Sequence, residues 1–249
     1  GEMDRKSAPL AYAPGTAGSN ITLDEVNRVI AVLNRVAPTY DPGSYDVINN
    51  ETNSNKFLAK INWNISKIHK LSLRHSYTYG ENYDNSRSAN ALRFSNNGLY
   101  FPSKTNSTGL ELNSMFNNKL SNRLLLGYTT VRDHRQPLGS PFSAITVNLG
   151  SGKTITVGSE YSSVANELNQ DIFSITDDLT LYKGKHTFTI GTHNEFYKFY
   201  NLFVQNIYGS YAYNNLANFE TVGTTGEIAP TYYAKSYSFA TDDDPYQTK

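Results

Sequence analysis

The chain has 249 residues, a formal net charge of zero, no cysteine and a hydrophobic fraction of 38%. These values exclude a disulfide framework, thiolate metal sites and a basic nucleic-acid-binding domain. No uncharged apolar run approaches the ~20 residues of a transmembrane helix, a test that a membrane-spanning strand escapes because only alternate residues are apolar.

Residues 1–19 are rich in Pro, Gly, Ala and Ser and read as loop. In residues 20–37, Leu23, Val26, Val29, Ile30, Leu33 and Val36 recur at helical spacing. Thr22 and Glu25 form a capping box, and Pro38 marks the stop. Asp41-Pro42-Gly43 then makes a turn. From Asn55 the period changes to two. Phe57, Ala59, Ile61, Trp63 and Ile65 share a face against Lys56, Lys60, Asn62 and Asn64. After a short turn, Leu71, Leu73, His75, Tyr77 and Tyr79 alternate with Ser72, Arg74, Ser76 and Thr78. A polar loop is expected at 81–107.

Leu110, Leu112 and Phe116 then alternate with Glu111 and Asn113, and Leu124, Leu126 and Tyr128 with Arg123 and Gly127. A second long loop is expected at 132–165, with a local hairpin around Gly150-Ser151-Gly152. Residues 166–205 hold the longest alternation, two strands joined only by Lys183-Gly184-Lys185. In the second, Phe188, Ile190 and Phe196 oppose Thr189, Gly191, His193 and Glu195. A Tyr- and Asn-rich stretch, 206–249, reads as a third excursion leading to a further strand.

About six strands of ten or more residues are expected, roughly twice the ordinary length. The turns near 66–70, 117–122 and 183–186 are short, whereas the opposite connections are long. That asymmetry, with aromatics at two levels, predicts an all-β, antiparallel up-and-down transmembrane barrel segment with one short helix. Its parts are a loop region at 1–54, barrel strands within 55–205 and a loop region at 206–249, with the long loops extracellular. Six strands do not close a barrel, so further strands are expected outside the chain. Phe57, Ile61, Leu73, Leu126, Phe188 and Ile190 are assigned to lipid. Lys60, Asn62, Arg74, Glu111, Arg123, His193 and Glu195 are assigned to the lumen. The ligand-binding candidates are the loop aromatics Tyr83, Phe94, Tyr100, Phe101, Tyr211, Tyr213, Tyr232 and Tyr233, because Tyr gives large contact area at low entropic cost.

The remaining motifs favour plain readings. Gly150-Ser151-Gly152-Lys153-Thr154 resembles the end of a phosphate loop, but Val147 stands where the first Gly belongs, so a hairpin turn is expected. The five histidines show no paired ligand spacing, and no metal is expected. Asp242-Asp243-Asp244 lacks the alternating ligands and Gly of a calcium loop. No nucleophile with an adjacent base can be assembled, so neither an enzyme nor a cofactor is expected.

The run NELNQDIFSITDDLTLYKGKHTFTIGTHNEFYKFYNLFVQNIYGSYAY, together with NKFLAKINWNISKIHKLSLRHSYTYG, resembles the barrel of Bacteroidetes TonB-dependent receptors. The likeness is to the Oar-like group, which carries a carboxypeptidase-regulatory-like domain at its N-terminus. It covers roughly Asn55 to Glu220 and rests on pattern and local wording. The resemblance implies import of a large solute across the bacterial outer membrane. Its implied partners are outer-membrane lipid, the TonB complex through segments outside this chain, the rest of the barrel and its plug, and no nucleic acid. A surface lipoprotein over the mouth is compatible with it. Two other readings of the same alternation are a soluble secreted β-sandwich binding or adhesin module and a passive porin-like barrel.

Overall fold

The structure, a computed structural model, describes residues 1–6 and 12–237. The aspartate run at 242–244 lies outside the described residues. In chain order the elements are β1 (Glu2–Lys6), α1 (Leu23–Val36), β2 (Glu51–Asn64), β3 (His69–Asp84), β4 (Ala91–Arg93), β5 (Leu99–Asn117) and β6 (Leu120–Pro137). They continue with β7 (Ala144–Gly150), β8 (Lys153–Val157), β9 (Ala165–Lys183), β10 (His186–Val204), β11 (Ser210–Tyr213), α2 (Leu216–Glu220) and β12 (Tyr232–Ala234). Among the described residues no helix is long and apolar enough to cross a membrane.

Six strands of 14 to 19 residues, β2, β3, β5, β6, β9 and β10, form three hairpins in one antiparallel sheet. The hairpin turns occupy only residues 65–68, 118–119 and 184–185. Gly184 takes φ +62° at the first central position of the last turn, where an L side chain would be strained. The strands outrun the expected boundaries. The first begins at Glu51, the loop expected at 81–107 shrinks to 85–98, and that expected at 132–165 shrinks to 138–164. Pairing continues through Asn82–Phe101 and Ser103–Asp133 because neighbouring backbones supply the ladder even where apolar alternation has faded. Within the expected N-terminal loop, β1 pairs with the start of β2.

Register sorts the two faces. Residues directly opposite on antiparallel strands share a face, so Ile61, Leu73, Leu110, Leu126 and Ile175 form one continuous apolar row across five strands. Beside it runs Ala59–His75–Thr108–Tyr128–Phe173–Phe196. The opposite face carries Asn62–Ser72–Glu111–Leu125–Thr176–His193. All six long strands lie in this one sheet, whereas a β-sandwich would divide them between two sheets packed face to face. The apolar face is left open: Ile61 is 66% exposed and Ile190 75%.

The buried core lies elsewhere. At the end of the sheet away from the hairpin turns, segments from four parts of the chain fold into one domain. Its five-stranded sheet has the order β12-β11-β7-β8-β4. β7 and β8 are the expected hairpin, turned by positive φ at Gly150, Ser151 and Gly152. β11 joins β7 in parallel and β4 joins β8 in parallel. One face of this sheet, with Leu92, Ile155, Val147 and Tyr213, packs on Val26, Val29 and Leu33 of α1 and on Phe94, Leu216 and Phe219. The capping box at Thr22 and Glu25 forms as expected. The buried stripe of α1 takes in Val32 and leaves Leu23 and Val36 exposed, because the sheet approaches from that side.

Polar contacts tie the domain together. Arg28 donates Nε and Nη2 to the two oxygens of Glu220 at 2.6 and 2.7 Å, joining α1 to α2. Lys153 donates to Glu25 at 2.5 Å, joining β8 to the capping box. The buried Arg87 donates to the carbonyls of Ser44, Tyr45, Asp46 and Arg93, and burial pulls its pKa down to about 10. Gly158, at φ +89°, lies so close to the Ser143 carbonyl that a Cβ would stand 1.9 Å from it.

Phe94 is fully buried. Truncation to Ala should cost the domain about 3–5 kcal/mol. Limited proteolysis should then cut residues 85–98 and 138–164 while the long strands keep their heat-modifiable mobility. Unchanged protease resistance would contradict the shared core.

Burial acts to raise the Glu25 carboxyl, but hydrogen bonds from Lys153 and Thr22 outweigh it and hold the group below its ordinary 4.5. The bond from Arg28 likewise lowers Glu220. With folded values depressed, both contributions are complete above the ordinary carboxylate range and are lost as pH falls through the lowered values. Amide protection in α1, corrected for intrinsic exchange, should hold down to about pH 5 and drop at lower pH. Equal protection at about pH 6 and about pH 3 would contradict this coupling.

Candidate functional site

Polar side chains gather at several places among the described residues, two of which hold the strongest candidates. The first is the polar face of the long sheet. Lys60 and Arg74 face each other, and the same row continues through Gly109, Gly127 and Ser174 to Glu195. In the adjoining row lie Asn62, Glu111 and His193, and Arg123 lies one row further toward the turns. Glu111 accepts from Asn113 at 2.8 Å and from Arg123 at 3.3 Å, and Arg123 reaches Asp178 at 3.7 Å. Lys60, Arg74, Glu111 and Arg123 thus gather around a recess of about 140 Å³, with Gly109 in its lining. His193 sits apart on β10, 2.7 Å from the Thr176 hydroxyl and 3.5 Å from Glu195, which Tyr197 also contacts. All seven expected polar residues share this face, in two groups. The six residues assigned opposite them share the other face.

The second region is a cleft of about 510 Å³ on the side of the five-stranded sheet away from α1. Alternation explains its wall. Leu92, Ile155, Val147 and Tyr213 turn to the core, so their neighbours Arg93, Thr156, Thr146 and Ala212 turn the other way, continued by Tyr232. Thr146 and Thr156 stand 3.3 Å apart. The rim is built from the connection before β9, with Glu160 and Tyr161, and from Gln205 and Asn206 beyond β10. Asn206 holds φ +56° and donates its backbone N–H to the Tyr161 carbonyl at 2.8 Å. The cleft therefore opens where β5 and β10 leave the long sheet.

Glu160 is only 7% exposed. One of its oxygens accepts from the Ser162 amide, the Ser162 hydroxyl and the Ser163 hydroxyl, at 3.1, 2.8 and 2.5 Å, closing its own turn. Asn97 donates to the Gly158 carbonyl at 3.0 Å. The guanidinium of Arg93 has no hydrogen bond or ion pair among the described residues.

The eight loop aromatics divide. Phe94 and Tyr213 are buried core residues and present no surface to a ligand, which corrects their placement as exposed candidates: each falls in a short strand or at its end, on the inner side of the alternation. Tyr100 donates to Glu81 at 2.6 Å and stacks near Tyr83, while Phe101 lies under the Arg135 guanidinium. These three stand on the extended ends of β3 and β5, not on a loop. Tyr211 packs against Tyr233 at 4.8 Å between ring centres. Tyr211 and Tyr232 border the cleft, and Tyr232 and Tyr233 are exposed. Arg93, Glu160, Tyr161 and Asn206 were not legible as site residues. The one available signal was the alternation Ala91-Leu92-Arg93-Phe94, hidden in an Asn- and Ser-rich stretch. Among the described residues no cluster of three His, Cys, Asp or Glu is placed to hold a metal ion.

The family model described as an outer membrane beta barrel domain matches residues 4–243. No curated protein matches the chain in sequence. Among solved structures, the crystal structure of the outer membrane transporter YddB from Escherichia coli aligns with a TM-score of 0.48 and 12% identity. The alignment covers 76% of this chain and 23% of that one, so the chain spans less than a quarter of that protein's length. With the family model matched over nearly its whole length, this chain belongs to the outer membrane beta barrel domain family.

Proposed function

We propose that the chain is part of the wall and outer loops of a TonB-dependent transporter of the bacterial outer membrane, which binds a large solute and imports it. The observation that carries this reading is the sidedness of the long sheet. One end closes in turns of a few residues, and the other carries a cored domain with a polar cleft. Strands of 14 to 19 residues exceed the ~9–11 needed to cross a bilayer, so their ends stand beyond it and lift that domain clear of the membrane. In this reading the domain is extracellular, the apolar rows meet lipid, and the charged recess lines the lumen. The chain binds and conducts but performs no chemistry on its solute. The resemblance of its hairpins to the Oar-like receptors supports energy coupling through TonB, with plug and remaining strands supplied by the same protein. A surface lipoprotein over the mouth fits the placement of the domain.

Two measurements test the reading. Arg in place of Ile61 should cost about 2–4 kcal/mol of membrane-inserted stability, whereas Arg in place of its neighbour Asn62 should cost far less. Heat-modifiability and surface abundance of the full-length protein would report the difference, and equal losses would contradict the lipid and lumen assignment. Uptake of the solute should vanish in cells lacking TonB while surface binding persists. Uptake undiminished without TonB would leave a passive porin-like barrel in its place.

A further inference from the structure

The free charge in the cleft identifies the chemistry of what enters it. We infer that the cleft of the loop-end domain is a binding site for an acidic saccharide of one or two rings, with Arg93 as the carboxylate anchor. The inference deepens the transport reading and rests on it only for the solute's later fate.

Arg93 carries the argument. Its neighbours in the strand are committed to the fold. Leu92 and Phe94 are core residues, and the Arg93 carbonyl accepts from Arg87 at 2.7 Å. The guanidinium alone is uncommitted, with no partner among the described residues. A guanidinium offers a planar fork of donors that matches a carboxylate with two parallel hydrogen bonds. The one acid in the cleft wall does not answer it, because an oxygen of Glu160 is already held by three donors of its own turn. The Arg93 guanidinium is therefore left to pair with a negative group on a ligand.

The surroundings narrow the class. Thr146 and Thr156 present paired hydroxyls on the floor, and Gln205 adds an amide at the rim. Such groups suit a polyhydroxylated body better than an apolar one. Tyr161 and Tyr232, 47% and 55% exposed, offer ring faces beside them. A volume of about 510 Å³ falls within the range of small-molecule sites and is too small for a folded protein.

The test uses the purified full-length protein in detergent, without TonB, and follows binding by calorimetry. The probes are digalacturonate, its neutral counterpart digalactose, and inorganic sulfate. Wild type should bind digalacturonate, bind digalactose at least about tenfold more weakly, and lose affinity for the acid as salt is raised. R93Q should lose about ten- to a hundredfold in affinity for digalacturonate. Assembly of each variant is checked by heat-modifiability. Y232A, which alters an exposed ring on the same wall, should also weaken the acid probe severalfold and serves if R93Q fails to assemble. Absence of digalacturonate binding, equal affinity for digalactose, or full affinity in the assembled variants would overturn the inference. Binding of sulfate alone would reduce the site to a simple anion site and overturn the saccharide assignment. Because no uptake step enters the assay, a failure here leaves the transport reading standing. Loss of TonB dependence with intact binding would sink transport alone.

Discussion

Strand register in the long sheet governs the remainder of the molecule. The pleat has a period of two, so sliding β2, β3, β5, β6 or β9 by a single residue would carry its member out of the common row of Ile61, Leu73, Leu110, Leu126 and Ile175. A slip of β5 would carry Glu111 onto the apolar side, and a slip of β6 would do the same to Arg123. Tight turns are what hold the register. Residues 184–185 allow β9 and β10 one pairing, which then runs unbroken from Lys183–His186 to Ala165–Val204. From those turns the strands deliver their far ends at fixed heights, and the connections that leave them meet as one domain.

The two halves of the chain are held by different forces. The wall has almost no buried apolar interior of its own: its hydrophobic residues are displayed, and its internal cohesion is the backbone ladder. The loop-end domain is an ordinary water-soluble fold in which helix and sheet hide Val29, Phe94, Val147, Ile155 and Phe219 from solvent. That division explains how one sequence can keep large apolar side chains exposed along β10 and fully buried in α1. Each half is correct for its own surroundings.

Much of this was legible in the sequence. Six long alternating strands, their short turns, the capped helix and the Gly-Ser-Gly hairpin all follow from local rules, since periodicity and turn chemistry act within a few residues. What stayed hidden is non-local. Asn82 and Ser103 look like loop residues, yet they lie in strands because neighbouring chains continue the ladder beside them. Phe94 and Tyr213 read as exposed aromatics in polar stretches. Their burial depends on α1 and β7, far away in sequence, arriving over them. Arg93 could be recognised only once β4 was known to be a strand, which puts it on the face opposite Leu92. The polar residues of the long strands share one face, as alternation alone implies, but their division into a charged recess and a separate His193–Glu195 group depends on cross-strand neighbours that no single segment encodes.

The bidentate pair between Arg28 and Glu220 joins residues 192 positions apart. Contacts of such separation form late, because the entropy of closing so long a loop must be met before they contribute. All three hairpins lie between the two partners, so they shorten the effective loop only when they are in place. Once paired, the long strands bring α1 and α2 within reach of each other, and the closure of the domain draws on that pairing. A chain arrested partway through its hairpins would lack the core and therefore the cleft.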